Sequence, residues 1–345
     1  MDLQIAILLG QDGITTGAIY ALLALALVLV FAVTRVIFIP QGEFVAFGAL
    51  TLASLQGGNT PATLWLLLGC GVAVAAVDGL AAVRRGDARR LVSILGWNLA
   101  YPLALAALFY ASQPGAMPML LQILVALAIV VPLGPMIYRL AFQPIAEAPV
   151  LILLIVSVAL HVTLVGLGLL FFGAEGTRTP AFSDAQFELG SIMISGQQLW
   201  VVGTSALLIA VLYLFFGRTI YGKALRATAI NRNGARLMGF SPVFAGKLTF
   251  LLAAFIGALS GVLIAPVTTI YYDTGFLIGL KGFVAAIIGG LASYPLAAAG
   301  ALTVGLLESF SSFWASAYKE VIVFTLIIPV LLWQSLTSHH IDEEE

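Results

Sequence analysis

Charge is what this 345-residue sequence has least of: 9% of its residues are Asp, Glu, Lys or Arg, against about 25% in a soluble domain. A soluble globular fold is excluded. Fifteen Lys and Arg nearly cancel sixteen Asp and Glu, for a net charge of −1, so there is no field to steer nucleic acid and none is expected as a partner. The single cysteine, Cys70, stands in the apolar run Leu68-Gly69-Cys70-Gly71-Val72. No internal disulfide and no cysteine-based zinc site can form, and the residue reads as packing. The adjacent His339 and His340 in the charged tail are a weak metal signal, so no metal and no cofactor is expected. A phosphate-binding Gly-x-x-x-x-Gly-Lys-Ser/Thr run is missing too; the nearest stretch, Gly275 to Lys281, has the wrong spacing. No basic residue precedes the first apolar stretch, and Gln11 and Asp12 interrupt it early, so a cleaved signal peptide is not expected.

Apolar residues fill the space that charge leaves. They make up 61% of the chain, with a mean hydropathy of +1.09 and no polar stretch long enough for a separate domain. The reading is all-α: one polytopic membrane helix bundle over residues 1–345, of about nine spans plus a short broken or re-entrant helix pair. A β-barrel is excluded because the apolar segments run unbroken and do not alternate. Spans are expected near 13–34, 42–56, 62–83, 92–111, 118–138, 150–172, 199–217, 248–270 and 320–336. Two shorter runs, 282–293 and 296–311, are separated by Ser293-Tyr294-Pro295. Each is short for a full crossing, and a broken pair is tolerated only where its freed backbone groups face protein or water. That makes the pair a candidate pathway lining, with Pro295 at its turn.

Basic residues in short loops are retained on the cytoplasmic side. With the N-terminus outside, twelve of the fifteen Lys and Arg fall inside; Arg178, Lys281 and Lys319 fall outside, and the C-terminus ends inside. The outer stretch 173–198 reads as a solvated loop rather than a partner-binding one. Gly13-x-x-x-Gly17 and Gly257-x-x-x-Gly261 permit close helix packing within the chain.

The segment 217–247 holds six basic residues and no acidic one. Gly222 to Ile230 reads as a short amphipathic helix, Asn231 to Gly234 as a turn, and Ala235 to Met238 as a second helical turn stopped by Gly239. Either its charge merely sets topology, or small and apolar residues alternating with cations make it an element that docks in another protein's groove. Few polar residues lie elsewhere. Gln41 and Glu43 follow Pro40 at a helix break, where a charge faces a cavity or a partner; Glu43 lines a pathway or pairs with Arg35. His161 reads as a packed or hydrogen-bonded histidine, Asp78 as neutralised beside Arg84, and Glu308 as an exposed helix end. Thr268, Thr269, Tyr271, Tyr272 and Asp273 are candidates for an outer mouth.

Tyr20 to Phe31, then Thr34-Arg35-Val36-Ile37 and Gln41-Gly42-Glu43-Phe44, resemble the first span and following break of the membrane permeases of branched-chain amino acid type ABC importers. Gly222 to Phe240, ending in Leu237-Met238-Gly239, resembles that family's cytoplasmic coupling loop. Gly261 to Pro266, Gly279-Leu280-Lys281-Gly282-Phe283, Gly289-Gly290-Leu291 and Tyr318-Lys319 complete the resemblance. It covers most of the chain except 60–111, which reads as an added helix pair, an even number that preserves orientation downstream. Phe38-Ile39-Pro40 stands where the family has Asn-Phe-Ala, and Gln334-Ser335-Leu336 replaces its polar ending.

The resemblance implies a permease subunit of a binding-protein-dependent importer in a bacterial-type cytoplasmic membrane. Its partners would be a second permease, two ABC ATPase subunits and an extracytoplasmic solute-binding protein, with ATP hydrolysis on the ATPases and no enzyme activity here. Coupling is expected at Gly222, Lys223, Arg226, Arg232, Gly234, Ala235, Arg236 and Gly239. The substrate pathway is expected to involve Thr34, Gln41, Glu43, Thr268, Thr269, Gly289 and Gly290. Branched-chain or other hydrophobic amino acids are the expected solutes. The alternative is an autonomous secondary transporter or channel for a small solute such as urea or an amide, which also needs broken helices; against it, nearly every charge reads as lying at a membrane edge. An intramembrane enzyme finds no paired acids, metal-partnered His or Ser-His arrangement.

Overall fold

A 32-residue stretch with no proline forms the first helix, α1 (Leu3–Thr34), which starts ten residues before the expected span and runs through Gln11 and Asp12; it is roughly 48 Å long at the standard rise. In this computed structural model, residues 3–111, 114–189, 192–291 and 293–337 are described; the tail with His339 and His340 lies outside them. After α1 come α2 (Gln41–Gln56), α3 (Thr63–Arg85), α4 (Ala88–Leu95), α5 (Tyr101–Ala111), α6 (Met119–Val130), α7 (Leu133–Ile137) and α8 (Val150–Phe172). A hairpin, β1 (Gln186–Leu189) and β2 (Ile192–Ser195), precedes α9 (Gly196–Arg218). Then follow α10 (Ile220–Ile230), α11 (Arg232–Leu237), α12 (Pro242–Ile264), α13 (Thr274–Ile288), α14 (Tyr294–Trp314), α15 (Lys319–Thr325) and α16 (Ile327–Thr337). Among the described residues, nine helical stretches are long and apolar enough to cross a membrane. The chain is an all-α polytopic membrane bundle.

Glycines set the closest contacts. A Cβ at Gly13 would stand 2.8 Å from the Leu306 Cα, and one at Gly261 would stand 2.0 Å from the Val45 carbonyl oxygen. Both Gly-x-x-x-Gly steps therefore pack helices within this chain, α1 on α14 and α12 on α2. These helices and α13 make the core, with Leu22, Leu23, Leu50, Phe250 and Ala285 fully enclosed.

The expected pair of short runs is revised. Its first arm is α13, which starts at Thr274 and has 15 residues; its second is α14, whose 21 residues are long enough to span alone. The turn begins at Gly289, and Gly290 and Leu291 take positive φ of 63° and 54°. Pro295 sits beyond it, in the first turn of α14, with the Ser293 hydroxyl capping that helix at the Leu296 N–H. The loop 173–198 also carries structure: β1 and β2 pair, and Thr177 bridges Ile270.

Residues 60–111 form α3 and a second apolar stretch, α4 through a π-turn (Gly96–Ala100) into α5. α4 buries none of its residues, and the stretch leans on α3. α3 in turn is fastened to the rest of the bundle by Asp78, which accepts from Arg139 at 2.6 Å. That corrects the expectation that Asp78 is neutralised beside Arg84: α3 turns its carboxylate toward the π-turn that ends the α6–α7 stretch (Tyr138–Phe142), away from its own C-terminal arginines.

Candidate functional site

Arg35 takes a φ of 58° at the end of α1 and sends the chain into an extended stretch. Phe38 in that stretch is fully buried, its ring 4.8 Å from Phe250 and 6.0 Å from Phe142, and the Ile39 N–H donates to the Ser157 hydroxyl at 2.9 Å. Only then does α2 begin, and its first residues, Gln41, Gly42 and Glu43, are all buried. The Gln41 amide donates to the carbonyl of Ala253 at 2.9 Å. Ala253 is midway along α12, so α2 starts about half-way up its neighbour instead of at the end of the bundle. A helix that starts there leaves N–H groups free of intrahelical partners within the apolar interior.

A second helix starts at the same place. A Cβ on Gly42 would lie 1.9 Å from the Gly275 carbonyl oxygen, and one on Gly275 would lie 2.2 Å from that of Gly42. The first turns of α2 and α13 thus touch through two glycines. Beside them Glu43 Oε1 and His161 Nδ1 meet at 2.6 Å, and the His161 ring stacks on Phe276 of α13 at 4.4 Å. Glu43 is 1% exposed. Its partner is His161 and not Arg35, because α2 starts deep in the bundle while Arg35 stays at the end of α1. His161 is a hydrogen-bonded histidine, as the sequence suggested. Gln41 Oε1 and Glu43 Oε2 are buried oxygens with no hydrogen-bond partner among the described residues. The junction therefore joins two helix starts, which favour negative charge, to two acceptor oxygens.

The seven expected pathway residues do not share one place. Gln41 and Glu43 form the junction just described. Thr34 lies at the end of α1, where it lines a 260 Å³ cavity with Arg35, Glu147 and Arg232. Thr268 and Thr269 are exposed after α12, and Thr269 lies against Gly176. Gly289 and Gly290 form the α13–α14 turn, where a Cβ on Gly289 would come within 2.7 Å of the Ala297 nitrogen.

The basic segment forms two short helices, but where a turn over Asn231 to Gly234 is expected the second helix already starts at Arg232, directly after its cap Asn231. The Thr219 hydroxyl caps α10 at the Gly222 N–H, the Asn231 side chain caps α11 at the Gly234 N–H, and Gly239 follows with a φ of 87°. Gly222, Ala224, Leu225 and Ala235 turn inward, while Lys223, Arg226 and Arg236 are exposed. Gly222 permits the fold-back of α10 on α9, since a Cβ there would lie 2.2 Å from the Phe215 oxygen. Arg232 donates to the Ala146 carbonyl at 3.1 Å, tying α11 to the loop before α8. The apolar Ile230, Leu237 and Met238 are left 88%, 88% and 79% exposed.

One cluster escaped the sequence reading. The Lys281 ammonium lies 2.5 Å from Glu308 and 3.2 Å from Glu320, and the Tyr20 hydroxyl donates to the other Glu308 oxygen at 2.5 Å. Lys281 is 5% exposed. Glu308 is therefore not an exposed helix end: it joins α1, α13 and α14. With Glu43, these are charged groups packed inside the bundle. The signal was available in part, since Lys281 and Glu308 both interrupt apolar runs with opposite charge, but nothing in the spacing paired them.

The model of the family described as branched-chain amino acid transport system, permease component, matches residues 98–331. The chain belongs to this family. It is similar to the high-affinity branched-chain amino acid transport system permease protein LivH of Escherichia coli (strain K12), with 26% identity over 336 residues covering 93% of this chain and 91% of that protein. BraD of Pseudomonas aeruginosa, a permease protein of the same description, is 27% identical, covering 94% and 92%. A probable branched-chain amino acid transport permease protein LivH of Methanocaldococcus jannaschii is 28% identical over 211 residues, covering 57% of this chain and 67% of that one. No solved structure matches. As a member of a transport permease family, this multi-pass membrane protein is not an enzyme. The permease match takes in α5 to α15, and with them the basic helices, the α13 side of the glycine junction, and all of the ionic cluster except Tyr20.

Proposed function

We propose that this permease is one membrane subunit of an ABC importer for branched-chain or other hydrophobic amino acids, in a bacterial-type cytoplasmic membrane. It works with a second permease, two ATPase subunits that hydrolyse ATP, and an extracytoplasmic solute-binding protein. The observation that carries the reading is α10–α11: two capped, basic helices held against the bundle by their small residues, with Ile230, Leu237 and Met238 presented outward. Large exposed apolar side chains on helices that also expose Lys223, Arg226 and Arg236 suit a groove in a soluble partner. Motion of that partner would reach the bundle through α9, α1 and the Arg232 tie.

The solute passes the α2–α13 junction. The positive dipole ends of the two helix starts suit its carboxylate, and the unpartnered oxygens of Gln41 and Glu43 suit its ammonium. Alternating access follows if the glycine contact opens and closes as the helices rock. In this reading the basic end is cytoplasmic, the N-terminus outside and the C-terminus inside. Residues 60–111 are an added helix pair. Uptake of labelled leucine into cells carrying the complete operon tests it: Glu43→Ala should abolish uptake with the protein still in the membrane, and normal uptake would reject the pathway.

A further inference from the structure

The added helix pair encloses a cavity of about 500 Å³ that the transport reading does not use. It opens between α3 and the α4–π-turn stretch on one side and α7 and α12 on the other. One end of its lining is cationic: Arg90, Arg139 and Lys247 face a single acid, Asp78. Asp78 is already engaged by Arg139, through both the Nε at 2.8 Å and the Nη2 at 2.6 Å. Arg90 and Lys247 have no side-chain hydrogen bond or ion pair among the described residues. The rest of the wall is apolar or aromatic, with Val74, Met136, Leu251, Trp97 and Tyr101.

We propose that this cavity is a binding site for an anionic glycerophospholipid. Its phosphate sits between Arg90 and Lys247, and an acyl chain runs along Val74, Met136 and Leu251. Neither cation has a side-chain partner among the described residues, so both are free to take an anion, and the cavity lies on the flank of membrane-spanning helices, where a lipid is the anion at highest concentration. Inorganic phosphate would meet the cations but leave the apolar wall unfilled. Trp97, 71% exposed at the cavity edge with Tyr101 beside it at 6.5 Å, supplies the amphipathic rings that sit at headgroup level. The π-turn builds this wall. Gly71 lets α3 approach it so closely that a Cβ there would lie 2.1 Å from the Asn98 oxygen, and the Tyr101 hydroxyl is fixed to the Ala128 carbonyl at 2.7 Å. The lipid would then cement the helix pair to α7 and α12.

Brominated lipids test this on the full chain in nanodiscs. Brominated phosphatidylglycerol in a phosphatidylcholine background should quench Trp97 fluorescence at low mole fraction, the Trp97→Phe protein identifying the signal. Brominated phosphatidylcholine should need roughly tenfold more. Changing Arg90 and Lys247 together to Gln should remove the preference while the Asp78–Arg139 pair holds the fold. In a second measurement, lipids retained by the unaltered protein through gentle purification should be enriched in anionic species over the source membrane. Equal quenching by both lipids, or retained lipid matching the bulk composition, would overturn the proposal. So would displacement of phosphatidylglycerol by millimolar inorganic phosphate, which would show a site that reads phosphate alone.

Discussion

Glu43 and His161 lie 118 residues apart in sequence, yet their side chains meet at 2.6 Å inside the bundle. The pair fixes the start of α2 against α8, and the stack of His161 on Phe276 extends it to α13. Three helices therefore converge on one polar contact.

Removing one member of that pair leaves the other without its partner. His161→Leu should lower stability by about 3 kcal/mol, because Glu43 would remain buried alone. Restoring a neutral partnership with Glu43→Leu in the same protein should recover most of the thermal midpoint in detergent but not uptake. Recovery of both would make the pair structural only.

The glycine contact leaves no room for a side chain. Gly42→Ala forces α2 and α13 apart, an overpacking change that costs about 1–3 kcal/mol. Uptake should fall more steeply than stability, which size-exclusion thermal melts beside leucine uptake would resolve.

The basic helices offer a cleaner separation of folding from function. Leu237 and Met238 are exposed, so changing both to Asp should alter stability by less than about 0.5 kcal/mol. Uptake should nevertheless be lost. A charge reversal at Arg232 is less informative, since its tie to Ala146 also holds α11 in position.

Lys281 is held between two carboxylates, so Lys281→Met leaves Glu308 and Glu320 facing one another with Tyr20 beside them. A loss of about 3–5 kcal/mol is expected. Adding Glu308→Gln should return much of it, since one of the two charges is then gone. A thermal midpoint unmoved by Lys281→Met would mean that the cluster does not hold α13 and α14 to α1.

Local features of the sequence carried most of the fold. Long apolar runs announced the spanning helices, and the glycine steps at 13 and 257 announced close packing; Thr219 and Asn231 emerge as helix caps only in the structure, Asn231 having read as the first residue of a turn. What could not be read was which lone polar residues meet. Lys281 and Glu308 are 27 residues apart on different helices, and Asp78 reaches Arg139 across 61 residues. Their pairing depends on helix rotation and depth, which a nearly uniform apolar pattern leaves unspecified: in α1, α2 and α8 hydrophobic residues lie on every face. The break, which the structure starts at Gly289, was displaced in the sequence reading for a related reason. Pro295 marks a stop in most contexts, but here it occupies the first turn of α14, where its missing N–H costs nothing.

The central claim is that partner ATPases drive this permease through α10–α11, and recovery of the complex from its native membrane tests it most directly. Gentle purification of the tagged full chain, with mass-spectrometric identification of what accompanies it, should yield a second permease and two ATPase chains. Changing Leu237 and Met238 to Asp should strip the ATPases while the second permease stays. A chain recovered alone, under conditions that keep known complexes together, and transporting solute unaided in liposomes would contradict the account.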